Sequence, residues 1–173
     1  MRLIPACLAL TLLAACVLHT GTPLFTDSDA TLLLGDKPMA LAIYELEDGA
    51  WTPQDDGPVT ALPQGNHYTV PDPDAADPSA PPDVYSFIAL DGTQYAVQAV
   101  TKGEAVYALA TWDGAELVVQ SLACSDLEGK PAIADLVTFD DDDCDLVPGT
   151  DPRAAFLRLQ AAAPEPRLKL VRQ

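Results

Sequence analysis

Histidine is nearly missing: only His19 and His67 occur in 173 residues. Imidazole chemistry therefore has one candidate outside the N-terminal stretch, His67 in Gly65-Asn66-His67-Tyr68. A Ser-His-Asp or Cys-His site would need it as the base. The G-x-S-x-G pattern of many serine hydrolases is not present, so His67 reads as a lone exposed residue. Basic residues are scarce too: 9 against 26 acidic ones, a net charge of −17. That field disfavours nucleic acid and anionic lipid head groups and favours cations or basic partners. The sequence has no P-loop, no G-x-G-x-x-G and no basic–aromatic patch, and it points to no cofactor. It also lacks an apolar run of the roughly 20 residues that a spanning helix needs. Disorder does not follow from the acidity, because the chain is 20% charged and 49% hydrophobic.

The N-terminus carries the clearest signal. A single Arg2 precedes the short apolar stretch Leu3–Leu18, as in a secretory signal peptide. Ordinary cleavage follows an A-x-A-like site; Leu13, three residues before Cys16, suits that site badly. The run Leu13-Ala14-Ala15-Cys16 instead resembles the lipobox of bacterial lipoproteins. The resemblance covers these 16 or so residues and nothing beyond them. It implies a thioether-linked diacylglycerol on Cys16, cleavage on its N-terminal side, and often an acyl chain such as palmitate on the new amino group. Val17 stands where Asp would imply inner-membrane retention, so the resemblance implies the outer membrane, facing the periplasm. Two or more acyl chains hold a protein stably on a bilayer, at about 0.8 kcal/mol per buried CH₂.

On this reading residues 1–15 are signal peptide, 16–38 a lipidated tether and lead-in, and 39–173 a single β-rich domain. The mature chain keeps 158 residues (173 less 15) and a charge of −18, since only Arg2 among the charged residues is removed. That is one domain by length, large enough for a real core. Cys7 leaves with the signal and Cys16 takes lipid. Cys124 and Cys144 remain in an oxidising compartment and are expected to pair. Their spacing of 20 is not C-x-x-C, and no histidine lies nearby to make a metal site with them.

The body is punctuated by three Asp-Gly pairs, 48–49, 91–92 and 113–114, each set between strand-like runs. Asp-Gly in that setting is a hairpin signal, because a type I′ turn needs positive φ at both central positions. The expected strands are Met39–Leu46, a strand at Trp51, Val84–Leu90, Gln94–Val100, Ala105–Trp112 and Glu116–Leu122. The last two hairpins also resemble each other at a spacing of 22: Val84-Tyr85 with Val106-Tyr107, Val97-Gln98 with Val119-Gln120. Duplication and convergence both explain this. Tyr85, Phe87 and Ala89 share one face, and Val84, Ile88 and Leu90 the other, so this sheet must be covered on both sides. Between Val70 and Asp83, five prolines in the twelve residues from Pro71 to Pro82 exclude a central strand or helix interior and predict a stiff acidic loop.

Asp27–Leu34 and Lys130–Phe139 are each compatible with helix or strand. Thr150-Asp151-Pro152 has the chemistry of a helix start, and Ala155, Phe156, Leu159 and Ala162 lie at helical spacing. The helix should end before Pro164, and Arg167–Arg172 should form a last strand. Asp140, Asp141, Asp142, Asp143 and Asp145 put five carboxylates in six residues, a weak Ca²⁺ candidate; the Gly and Glu of an EF-hand loop are missing, and a solvated acidic loop is the plainer reading. Tyr68, Tyr85, Tyr95 and Tyr107, with Trp51 and Trp112, line either a binding face or the core. The expected fold is α+β and mainly antiparallel: a meander of about seven strands with one C-terminal helix and a disulfide. The expected function is a non-enzymatic binding or protein-interaction module, anchored to the membrane by lipid, with an envelope protein as partner and no nucleic acid. A small-ligand carrier with a pocket in a curved sheet, and a carboxylate-dependent hydrolase, are the alternatives.

Overall fold

The computed structural model describes residues 17–55, 57–71, 81–101, 103–140 and 143–173. The lipobox and most of the proline-rich segment, residues 72–80, lie outside them.

The strands are β1 (His19–Thr20), β2 (Met39–Glu47), β3 (Ala50–Pro53), β4 (Val59–Gln64), β5 (His67–Val70), β6 (Asp83–Asp91), β7 (Gln94–Thr101), β8 (Glu104–Trp112), β9 (Glu116–Ser121), β10 (Val137–Asp140), β11 (Asp143–Leu146) and β12 (Leu168–Arg172). The meander, expected at about seven strands, closes into a barrel of eight. Eight strands run in the order β2-β4-β5-β6-β7-β8-β9-β12 and return to β2, every neighbour antiparallel. β12 makes the closure: Leu170 pairs with Ile43 on one side and Leu117 on the other. Closure removes the unpaired edges that an open meander would present. Pro63 fits within β4 because that part of the strand pairs only with β5, while Val59–Ala61 pair with β2.

Turn chemistry differs among the three Asp-Gly pairs. Only Asp48-Gly49 has both residues at positive φ, 49° and 80°, as type I′ requires. At 91–92 Asp91 pairs with Gln94 and only Gly92 is left-handed, at 54°. At 113–114 the Asp113 carboxylate accepts from the backbone N–H of Ala115 and Glu116, at 2.9 and 2.8 Å, so the side chain supports the turn instead. These bonds hold the Asp113 carboxyl below its ordinary pKa.

The barrel interior is filled. Tyr68 and Phe87 meet edge to face at 5.9 Å, and small residues such as Ala61, Ala99, Ala108 and Ala110 take up the space between large ones. A void of about 10 Å³ among Val17, Val97, Ala99 and Val106 is no larger than one water. Outside, β6, β7 and β8 present Ile88, Ala96, Tyr107 and Leu109, all buried. The strand faces expected to need double cover thus receive it, from helix α2 (Pro152–Ala162) and the segment 122–147. That segment holds a short helical turn, α1 (Cys124–Leu127), and a 3₁₀ turn at Pro131–Ile133 ahead of β10. Lys130–Phe139 therefore holds both a helical turn and the start of a strand.

Helix α2 follows from its sequence. The Asp151 side chain accepts from Ala154 N–H at 3.1 Å, and Pro152 occupies the first turn. Ala155, Phe156, Leu159 and Ala162 face the sheet and are buried. The Lys130 ammonium donates to the Ala162 carbonyl at the C-terminal end, where a cation suits the helix dipole.

The residues expected as a tether are built into the fold. Leu18 is fully buried, its N–H donating to Leu122 O and its carbonyl accepting from Tyr107 N–H. β1 lies between β8 (antiparallel) and β11 (parallel). The buried Gln98 side chain grips the backbone of Phe25, accepting from its N–H at 3.0 Å and donating to its carbonyl at 3.1 Å. The Tyr107 hydroxyl accepts from Leu24 N–H, and the Tyr68 hydroxyl accepts from Leu34 N–H and donates to Gly35 O. Asp27–Leu34, expected as a helical turn or an edge strand, forms neither; it is turns and irregular backbone.

Burial pushes both hydroxyls above their ordinary pKa. A group whose pKa is raised on folding stabilises the native state below its unfolded value, near 10, and loses that contribution as pH rises through the folded value. Alkaline titration followed at the phenolate absorbance should show Tyr68 and Tyr107 ionising late and together with unfolding. Tyr68→Phe and Tyr107→Phe should each remove one late-ionising group. Free titration of both in the folded state would contradict the placement.

Candidate functional site

His67 is not isolated. Its Nδ1 lies 2.7 Å from Asp27 Oδ1, and Asn66 Nδ2 donates to Asp27 O at 3.0 Å. The lead-in is thereby pinned to the β4–β5 turn. Gly65 serves the same contact: its φ is +62°, and a Cβ there would come within 3.2 Å of the Asp27 carboxylate. A carboxylate on one imidazole nitrogen orients the ring, which is half of an acid–base arrangement. The nearby hydroxyls are engaged with each other instead, Thr26 with Ser28 at 2.8 Å, and Asp29 takes the Thr26 N–H and hydroxyl. Those bonds hold the Asp29 carboxyl below its ordinary pKa. The pair joins residues 40 apart in sequence, a distance over which no local pattern signals contact.

The aromatic residues go mainly to the core. Tyr68 and Tyr85 fill the barrel interior, while Tyr107 lies outside it against Phe156. Tyr95 and Trp112 are half-buried. Trp51 joins Tyr44 around the Lys169 ammonium, which stands 5.2 and 5.3 Å from the two ring centroids and 3.3 Å from Glu116 Oε1. This cluster ties β12 to β2, β3 and β9 across the closure. Its wall of the barrel carries half-buried Tyr44, Leu46, Trp51, Val118 and Val171, with no helix of the described residues packed over it.

Cys124 and Cys144 form the expected disulfide, with Cα atoms 5.5 Å apart. It joins α1 to β11. Of the acidic run, Asp140 and Asp143 face each other across the β10–β11 pair and Asp145 follows in β11; Asp141 and Asp142 lie outside the described residues. Among the described residues no three carboxylate, imidazole or thiol groups gather to hold a metal. Phe139, opposite Cys144 in register, is exposed (37%). At one end of the barrel an open hollow of about 270 Å³ is lined by Leu34, Gly35, Asp36, Lys37, Pro38, Met39 and Arg172.

No helix of the described residues is long and apolar enough to cross a membrane. Among the described residues, the fold and these sites define a closed antiparallel barrel with helix α2 packed outside it and a disulfide-tied flank. No family model, curated protein or solved structure matches the chain.

Proposed function

We propose that this chain is a bacterial envelope lipoprotein, acylated on Cys16, whose barrel is a non-enzymatic protein-binding module held at the outer membrane facing the periplasm. The observation that best supports the reading is the Cys124–Cys144 disulfide, in keeping with an oxidising compartment. Val17, directly after Cys16, is buried and bridged to Ala123. The filled interior supports a role for the outer surface over that of a ligand carrier. The half-buried Tyr44 and Trp51 of the wall at the closure are of the residue types enriched at interfaces.

Intact mass of protein extracted from membranes tests the anchor. Residues 16–173 plus acyl chains are expected, with Cys16→Ala giving an unacylated species. A soluble wild-type product cut elsewhere would overturn the lipoprotein reading. Cross-linking in intact envelope tests the module: a saturable protein adduct is expected, weakened by Trp51→Ala. No saturable adduct in envelope where the protein is fully acylated would overturn the binding role.

A further inference from the structure

The junction of anchor and domain has no slack. A flexible tether of n residues reaches roughly 5–6 Å times the square root of n; here Cys16 is joined by one peptide bond to a residue that is already part of the sheet. Val17 is 5% exposed and bridged to Ala123. Leu18 is bonded on both sides, to Leu122 and Tyr107, at 2.8 and 3.0 Å. Neighbouring Cα atoms lie 3.8 Å apart, so a lipid on Cys16 would bring the bilayer against the body of the domain.

Resting on the lipoprotein reading, we propose that the flank around Val17, presented by the exposed Ser125, Phe139, Asp140 and Asp143, is a membrane-facing surface in direct contact with uncharged or zwitterionic lipid head groups. The neighbours of Val17 follow in lateral steps. Ala123 is its bridge partner, and Cys124 is disulfide-bonded to Cys144 with Cα atoms 5.5 Å apart. Phe139 pairs with Cys144 on the next strand. The parallel pairing of His19 with Asp145 agrees, because it sets Asp143 level with Val17. The exposed Phe139 thus stands two to three strand spacings, on the order of 10–15 Å, from the anchor. A phenyl ring there suits the boundary between head groups and acyl chains. Asp140 and Asp143 flank it, and their carboxylates disfavour an anionic lipid surface. A second protein does not fit this flank as well, because a partner would have to enter the space that a tetherless anchor closes.

The test compares two acylated proteins on phosphatidylcholine vesicles: the native chain, and one with twelve Gly/Ser residues inserted between Cys16 and Val17. Intact mass establishes acylation of both. Amide hydrogen exchange at Ser125, Phe139 and Asp140 should be slowed in the native protein, with that protection lost in the extended one. Exchange at the Asp48-Gly49 turn should be the same in both. Phe139→Ser in the native-length protein should lose part of the protection without a change in the Asp48-Gly49 turn. Equal exchange of native and extended proteins at the flank overturns the proposal while leaving the anchor intact. An unacylated native protein overturns the lipoprotein reading, and the proposal with it.

Discussion

Phe156→Ala should lower the unfolding free energy by about 3–5 kcal/mol, the range for removing a fully buried aromatic side chain. Phe156 is at 0% exposure in the middle of α2, 5.4 Å from the Tyr107 ring and 5.7 Å from the Phe25 ring. It therefore joins three parts of the chain: the helix, strand β8 and the lead-in. Loss of the ring leaves a void that backbone-bonded strands cannot close. Against a typical total of about 5–15 kcal/mol, the deficit is a large share of the stability. Urea unfolding should show a lower midpoint at nearly constant slope. Leu157→Ala on the exposed side of the same helix, at 42% exposure, should change stability by no more than about 0.5 kcal/mol. Equal effects of the two substitutions would mean that α2 is not seated on the barrel as described.

Removal of the disulfide, as Cys124→Ala with Cys144→Ala, should cost about 3 kcal/mol. Closing a loop with a sequence separation of 20 restricts the unfolded chain by about that amount in the loop-entropy account. Both sulfurs are buried beside Leu122, Leu127 and Leu146, so the alanines also leave some unfilled volume. The flank has few other ties. β11 is bonded to β10 and, through one residue pair, to β1. Hydrogen exchange should accordingly quicken first in β10 and β11, with β6 and β7 least affected. A uniform loss of protection across the barrel would show that the staple acts on global stability alone.

The parts of the fold legible in the sequence are those encoded locally. Helix α2 was readable down to its buried face, because Asp151, Pro152 and the spacing of Ala155, Phe156, Leu159 and Ala162 act within a few residues of one another. Strands β6 to β9 were readable from their apolar runs and the Asp-Gly pairs. The two-residue β1 has no periodicity to read, and its place depends on β8 and β11, more than eighty residues away. The same holds for the Asp27–His67 pair, so His67 looked lone while its partner sat in the lead-in.

By itself, then, the sequence determined the helix, the hairpin strands, the pairing of Cys124 with Cys144 and the need for cover on both faces of the central strands. Tertiary structure alone decided that the sheet closes, that its interior is full and that the residues after Cys16 belong to the core. Closure depends on β12 meeting β2 and β9 at once, and the filling of the barrel on how Ala and aromatic side chains from distant strands share one volume. Such contacts arise from chain ends meeting in space, and no local period or turn residue records them.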